Sequence, residues 1–212
     1  MDVTRTEEEQ IEALKKWWSE NGWAIVGGIV IGLAGVFGWR AWQAHQIAIA
    51  QQASDIYAQL IVNVRTDKND QARTQAKKLL DEYPNTSYAT FASLILGKLD
   101  VENNDLDSAR QHLQWVIDNT DQNELKHLAR IRLARVLLSS DKPEDALKLI
   151  ENIDQGKFAA SYDEVKGDIF VKLDKPEEAR KAYQSALALS TDKGQSDSFL
   201  EMKLDNLGQS NP

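Results

Sequence analysis

Three histidines, His45, His112 and His127, are the side chains of this 212-residue chain whose ordinary pKa lies near neutrality. Proton transfer at pH 7 would fall to them first, yet they are scattered, and His127 simply follows Lys126. No HExxH, GxSxG, Walker or EF-hand pattern occurs. With no Cys, disulfides and Cys-based metal sites are excluded. Carboxylates are abundant but fall in turns and on helix faces, where they are solvated. The net charge is -8 and the pI about 5.0. That balance opposes binding to nucleic acid, which is driven by Lys and Arg. These residues imply no enzyme, cofactor, nucleotide or metal, and leave recognition of other proteins as the chemistry to explain.

One stretch departs from the average composition, which is 42% hydrophobic and 27% charged with a mean hydropathy of -0.48. No charge occurs between Glu20 and Arg40. The 19 residues from Asn21 to Trp39 would span roughly 28 Å as a helix, close to the roughly 30 Å hydrocarbon core of a bilayer. The run is apolar all round, and five of the six Trp flank it, Trp17, Trp18 and Trp23 on one side and Trp39 and Trp42 on the other. That is the arrangement of an aromatic belt. The glycines at 27–38 lie inside this run, so they form no phosphate loop. About 20 polar residues precede the run, and the small-residue pattern at 48–50 lies too far downstream for cleavage, so an uncleaved anchor is expected.

Arg5, Lys15 and Lys16 precede the anchor, whereas Arg40 alone follows it until Arg65. The positive-inside rule therefore places the N-terminus in the cytoplasm. Ala24, Gly28 and Gly32 form a small-xxx-small ridge that could dock a partner helix. Glycine is also common in membrane helices for no such reason. Ahead of the anchor, Ile11, Leu14 and Trp18 share one face of a helix over 6–19, opened by a Thr6–Glu9 capping box. It lies on the headgroups or makes a cytoplasmic contact.

Beyond the anchor, Ile49, Ala53, Ile56, Leu60 and Val64 mark one face of a helix over about 41–64. A second helix over about 70–83 stops at Pro84. The chain then repeats. DKPEDA at 141–146 recurs as DKPEEA at 174–179, and Ala109, Ala146 and Ala179 are separated by 37 and 33 residues. Twelve residues before each Ala lies a small residue (Gly97, Ala134, Gly167), and four after it a large one (Leu113, Ile150, Tyr183). Small residues let paired helices approach while large ones fill the gap. Ala76, another 33 residues upstream, marks a degenerate first repeat, and residues 195–207 read as a capping helix.

The period and phase resemble tetratricopeptide repeats, except that Asp100 stands where an aromatic is usual. In that family the first helix of each pair lines a concave groove. Carried over by phase, the resemblance implies groove positions at Lys98, Arg132, Arg135 and Asp168, with Leu94, Ile131, Leu138 and Val171 as apolar contacts. Those charges could equally be solvated and the apolar residues packed.

EALKKWWSENG at 12–22 and GWRAWQAHQ at 38–46 frame the anchor. With the repeats, they resemble the ancillary SecYEG translocon subunits of Gram-negative bacteria (the YfgM-type family). The resemblance implies an inner-membrane anchor, a periplasmic repeat domain, and association with SecYEG and a membrane-anchored periplasmic folding factor of the PpiD type. It implies a role in passing unfolded secretory chains to periplasmic chaperones. The expected fold is all-α, one transmembrane helix followed by a tetratricopeptide-like solenoid. The expected divisions are a cytoplasmic tail (1–20), the anchor (21–42), a juxtamembrane helix continuous with it (43–69) and the periplasmic domain (70–212). A scaffold in envelope assembly or cell division would share this topology, as would a regulator acting through its acidic tail.

Overall fold

The computed structural model describes residues 7–191 and 198–209. Arg5, the Thr6 end of the capping box and the first residues of the 195–207 helix lie outside the described residues. Among the described residues the regular structure is helical: α1 (Glu7–Arg65), α2 (Asn69–Glu82), α3 (Ser87–Glu102), α4 (Leu106–Asn119), α5 (Asn123–Ser139), α6 (Pro143–Ile150), a 3-10 turn (Gly156–Phe158), α7 (Ala159–Lys172), α8 (Pro176–Thr191) and α9 (Ser198–Gln209). The chain divides into two compact units, Met1–Gln52 and Ala53–Pro212.

In the first unit, α1 runs without a break past residues 20 and 42, so those limits mark changes of composition rather than ends of structure. Two polar side chains near its apolar stretch turn back on the helix: Ser19 Oγ donates to the Lys16 carbonyl (2.8 Å) and Asn21 Nδ2 to that of Trp17 (3.1 Å). The helix is long and apolar enough to cross a membrane, and Trp23, Ile29, Ile31, Leu33, Phe37 and Trp39 are exposed on it. In water such a surface would be strongly unfavourable, at about 25 cal/mol per Å² of apolar area.

The second unit begins at Ala53 rather than at residue 70. The reason is packing: Ala53, Ile56 and Leu60 of α1 are buried with Ala72, Ala76 and Leu79 of α2 and Leu96 and Leu99 of α3. From α2 onward each helix packs against the next, and α5 also meets α7. The helix pairs are joined by one recurring turn. Asp67, Asn104, Asp141 and Asp174 all adopt a left-handed backbone, with φ of 53°, 60°, 58° and 56°. The next N–H reaches back over the helix end, from Lys68 to Asn63 (2.9 Å), Asp105 to Asp100 (2.8 Å), Lys142 to Leu137 (2.9 Å) and Lys175 to Phe170 (2.9 Å). This is a Schellman closure with Asn or Asp in place of Gly. Pro143 and Pro176 then open α6 and α8, where a missing N–H costs nothing. The DKPE signature is therefore a turn followed by a helix start. Thr86 and Asp105 cap α3 and α4 by accepting from the N–H of Ala89 and Ser108.

The turns correct the phase of the first repeat. Ala109, Ala146 and Ala179 donate to the carbonyls of Asp105, Lys142 and Lys175, and the equivalent residue is Ala72, which donates to Lys68. Ala76 instead occupies the position of Leu113, Ile150 and Tyr183, and Leu60 that of Gly97, Ala134 and Gly167. The first repeat therefore places its large residue on the first helix and its small one on the second, and both Leu60 and Ala76 are fully buried. In the later repeats the expected small-against-large contact is direct. A Cβ on Gly97 would lie 3.2 Å from Leu113 Cγ, and one on Gly167 would lie 2.3 Å from Tyr183 Cε1.

Candidate functional site

The first helices of successive pairs present Lys98, Arg132 and Arg135 to solvent, and all three line one hollow of about 450 Å³. Its apolar floor comes from Gly97 and Val101 of α3, Leu113 of α4 and Val136 of α5. The absent side chain of Gly97 lets Leu113 of the second helix, itself buried, reach the bottom of the hollow. Val101 is 45% exposed and widens the apolar patch. Lys98 and Arg135 lie one helical turn beyond the buried Leu94 and Ile131, at the border of the buried face, and Arg132 is exposed beside them.

Two of the three cations are neutralised locally. Lys98 pairs with Glu102 one turn on (3.3 Å), and Arg135 reaches across to Glu164 of α7 (3.1 Å). Arg132 has no carboxylate partner among the described residues. Partial burial, followed by the neighbouring Arg135, holds its guanidinium pKa below the ordinary value. A negative charge placed there would be attracted by both guanidinium groups.

Asp168 does not join this hollow. Its Oδ1 accepts from Lys203 Nζ of α9 (2.7 Å) and from the Tyr183 hydroxyl of α8 (2.7 Å). Lys203 also donates to Glu164 (2.9 Å) and stands 4.6 Å from the Phe199 ring centre. Burial, together with the Asp168 carboxylate, pushes the Tyr183 pKa far up, so the phenol stays a neutral donor. Asp168 thus fastens the terminal helix to α7. Of the apolar contacts expected by phase, Leu94 and Ile131 are core residues, 6% and 5% exposed, while Leu138 is half-buried and Val171 exposed. Sequence alone does not mark Glu164, and it marks Lys203 only as a residue of the capping helix. They lie 39 residues apart, and no periodicity marks them.

Two further polar clusters hold helices together. Asp100, 1% exposed, receives an ion pair from Arg73 of α2 and lies 2.7 Å from His112 Nδ1 of α4. The Ser93 hydroxyl donates to the His112 carbonyl (2.8 Å). The departure from the aromatic pattern at Asp100 is therefore a charged tie among α2, α3 and α4. His127 stacks on Phe158 (4.9 Å between ring centres) and lies 2.9 Å from the buried Tyr162 hydroxyl. Burial first, then Arg130, lowers its pKa.

Ala24, Gly28 and Gly32 are exposed on α1, and a Cβ built on Gly28 or Gly32 would meet no atom within 4 Å. Their spacing places them on one face of the helix.

The recurring helix pairs, their shared turn and the interlocking small and large residues define a tetratricopeptide-type protein. A profile of the tetratricopeptide repeat-like domain accordingly matches residues 15–209. Similarity to whole proteins is more specific. The ancillary SecYEG translocon subunit of Escherichia coli (strain K12) is 31% identical over 207 residues, 98% of this chain and 99% of that protein. Those of Aggregatibacter actinomycetemcomitans (33% over 186 residues, 88% and 91%) and Haemophilus influenzae (30% over 201 residues, 95% and 97%) are similar over nearly the same extent. The chain belongs to the family of ancillary SecYEG translocon subunits.

Proposed function

We propose that this protein is a single-pass subunit at the SecYEG translocon of the inner membrane, with its tail in the cytoplasm and its repeats in the periplasm. There it links emerging secretory chains to a membrane-anchored folding factor of the PpiD type. The observation that carries this reading is likeness over the whole chain: the relatives named as translocon subunits match anchor and repeats together. Support also comes from the apolar, exposed stretch of α1 and from an open hollow with an apolar floor and a basic rim. The anchor, docking by its Ala24–Gly28–Gly32 face, holds the repeats beside the channel exit. Confinement raises effective concentration, so individually weak contacts suffice.

A photo-reactive residue in place of Lys98 tests the role in living cells. Crosslinks to a secretory chain arrested during translocation and to the folding factor are expected. Crosslinks to cytosolic proteins alone would overturn both orientation and role. The natural lack of Cys permits a second check. A thiol introduced at the exposed Glu178 should react with a membrane-impermeant maleimide in spheroplasts, whereas one at Glu12 should not.

A further inference from the structure

The carboxylates of α3, α5 and α7 are paired with cations of the chain itself. Glu102 is taken by Lys98, Glu164 by Arg135 and Lys203, and Asp168 by Lys203 and Tyr183. Of the cations on α5 without a carboxylate partner among the described residues, Lys126, Arg130 and Arg132, only Arg132 lines the hollow, beside a second guanidinium. In a chain of net charge -8, a basic rim around an apolar hollow is a local reversal of sign. A guanidinium binds carboxylate through two parallel N–H donors, which fixes direction as well as charge. The floor offers Val101 and Leu113 within the same hollow as Arg132.

We propose that this hollow binds an extended peptide segment in which an Asp or Glu side chain lies next to a large aliphatic one. The carboxylate pairs with Arg132, and the aliphatic side chain covers the exposed Val101 beside Gly97. Arg135 contributes less, because Glu164 already holds it. A basic segment is disfavoured, since it would approach Arg132 and Arg135 together. This deepens the proposed function, for it rests on the repeats binding extended chains and specifies which chains they prefer.

The test uses the full-length protein in nanodiscs and fluorescent peptides with blocked ends. Three peptides share one aliphatic sequence and carry Glu, Gln or Lys at the same position. The Glu peptide is expected to bind about tenfold more tightly than the Gln peptide, roughly 1.4 kcal/mol, and the Lys peptide more weakly than either. Arg132→Gln should abolish the difference between Glu and Gln without changing the affinity for Gln or the melting temperature. Arg132→Lys should retain only part of it. Equal binding of Glu and Gln peptides would overturn the proposal, as would an unchanged preference in Arg132→Gln. An unblocked C-terminus supplying the whole preference would also contradict it. If no peptide binds while SecY still co-purifies, the peptide specificity fails and the translocon association stands. If the peptides bind as expected but SecY is not recovered, the converse holds.

Discussion

Replacement of Gly167 by Ala tests how closely α7 and α8 are packed. The added Cβ would sit 2.3, 2.4 and 2.8 Å from three atoms of the Tyr183 ring, against about 3.5–4.0 Å for a normal carbon contact. The ring must withdraw by more than about 1 Å, but Tyr183 is 3% exposed and has nowhere to go without moving α8. Overpacking of this kind costs about 1–3 kcal/mol. Loss of the Tyr183 hydrogen bond to the Asp168 carboxylate adds about 1.5–3 kcal/mol. The better helix propensity of Ala returns about 1 kcal/mol, leaving a net destabilisation of about 1.5–5 kcal/mol. Urea unfolding followed by circular dichroism, with the full chain in detergent, measures it. Gly97→Ala is the control: its Cβ meets Leu113 Cγ at 3.2 Å and Cδ2 at 3.3 Å, far looser than the contacts at Gly167, and its expected effect is within about 1 kcal/mol of zero. Gly167→Ala combined with Tyr183→Leu should recover only the overpacking part of the loss, because Leu cannot restore the hydrogen bond to Asp168, and the two changes should be non-additive. A Gly167→Ala protein as stable as the parent, or a Gly97→Ala protein that suffers more, would refute the packing described.

Asp100→Ala leaves Arg73 partly buried without its counter-ion and should cost about 3–5 kcal/mol by the same unfolding measurement; a change below about 1 kcal/mol would show that the tie among α2, α3 and α4 is not a structural one. For His127 the lowered pKa means that the unfolded chain takes up the proton more readily. Its contribution is present in full above the ordinary His value of about 6.5 and is lost as pH falls through the lower folded value. His127→Gln should therefore flatten this part of the fall in melting temperature below about pH 6.5, and an identical slope in both proteins would contradict the assignment. Gly28→Leu fills one position of the small-residue face of α1 and should reduce recovery of SecY with the protein while leaving the melting temperature of the repeats unchanged; full recovery of SecY would exclude that face as the docking surface.

Much of the architecture was legible in the sequence because it is written in period and residue size. DKPE marks a left-handed Asp followed by a Pro-started helix, and Gly97 and Gly167 announce close contacts with Leu113 and Tyr183. The first repeat was misphased because a 33-residue step from Ala109 lands on Ala76, whereas its turn at Asp67 selects Ala72. Size offered no correction, since Leu60 and Ala76 exchange the large and small roles. The start of the repeat unit at Ala53 was hidden by continuity, as one helix supplies both the apolar stretch and the first repeat face. At the candidate site, phase brought out Lys98, Arg132 and Arg135. It could not separate Asp168 from them, because the partner of Asp168 is Lys203 on α9, outside the repeat period. Leu94 and Ile131 were offered as groove contacts because phase marks an exposed helix stripe less sharply than it marks a buried one.

The most direct measurement of the central claim is purification of the full-length protein from native membranes in mild detergent, with its partners identified by mass spectrometry. The control is a protein whose residues 21–42 are replaced by an unrelated membrane helix. Recovery of SecY and a periplasmic folding factor with the native anchor, with SecY lost on the exchange, is the expected result. Recovery of envelope-assembly or division proteins in their place, with no SecY from either protein, would contradict the translocon assignment.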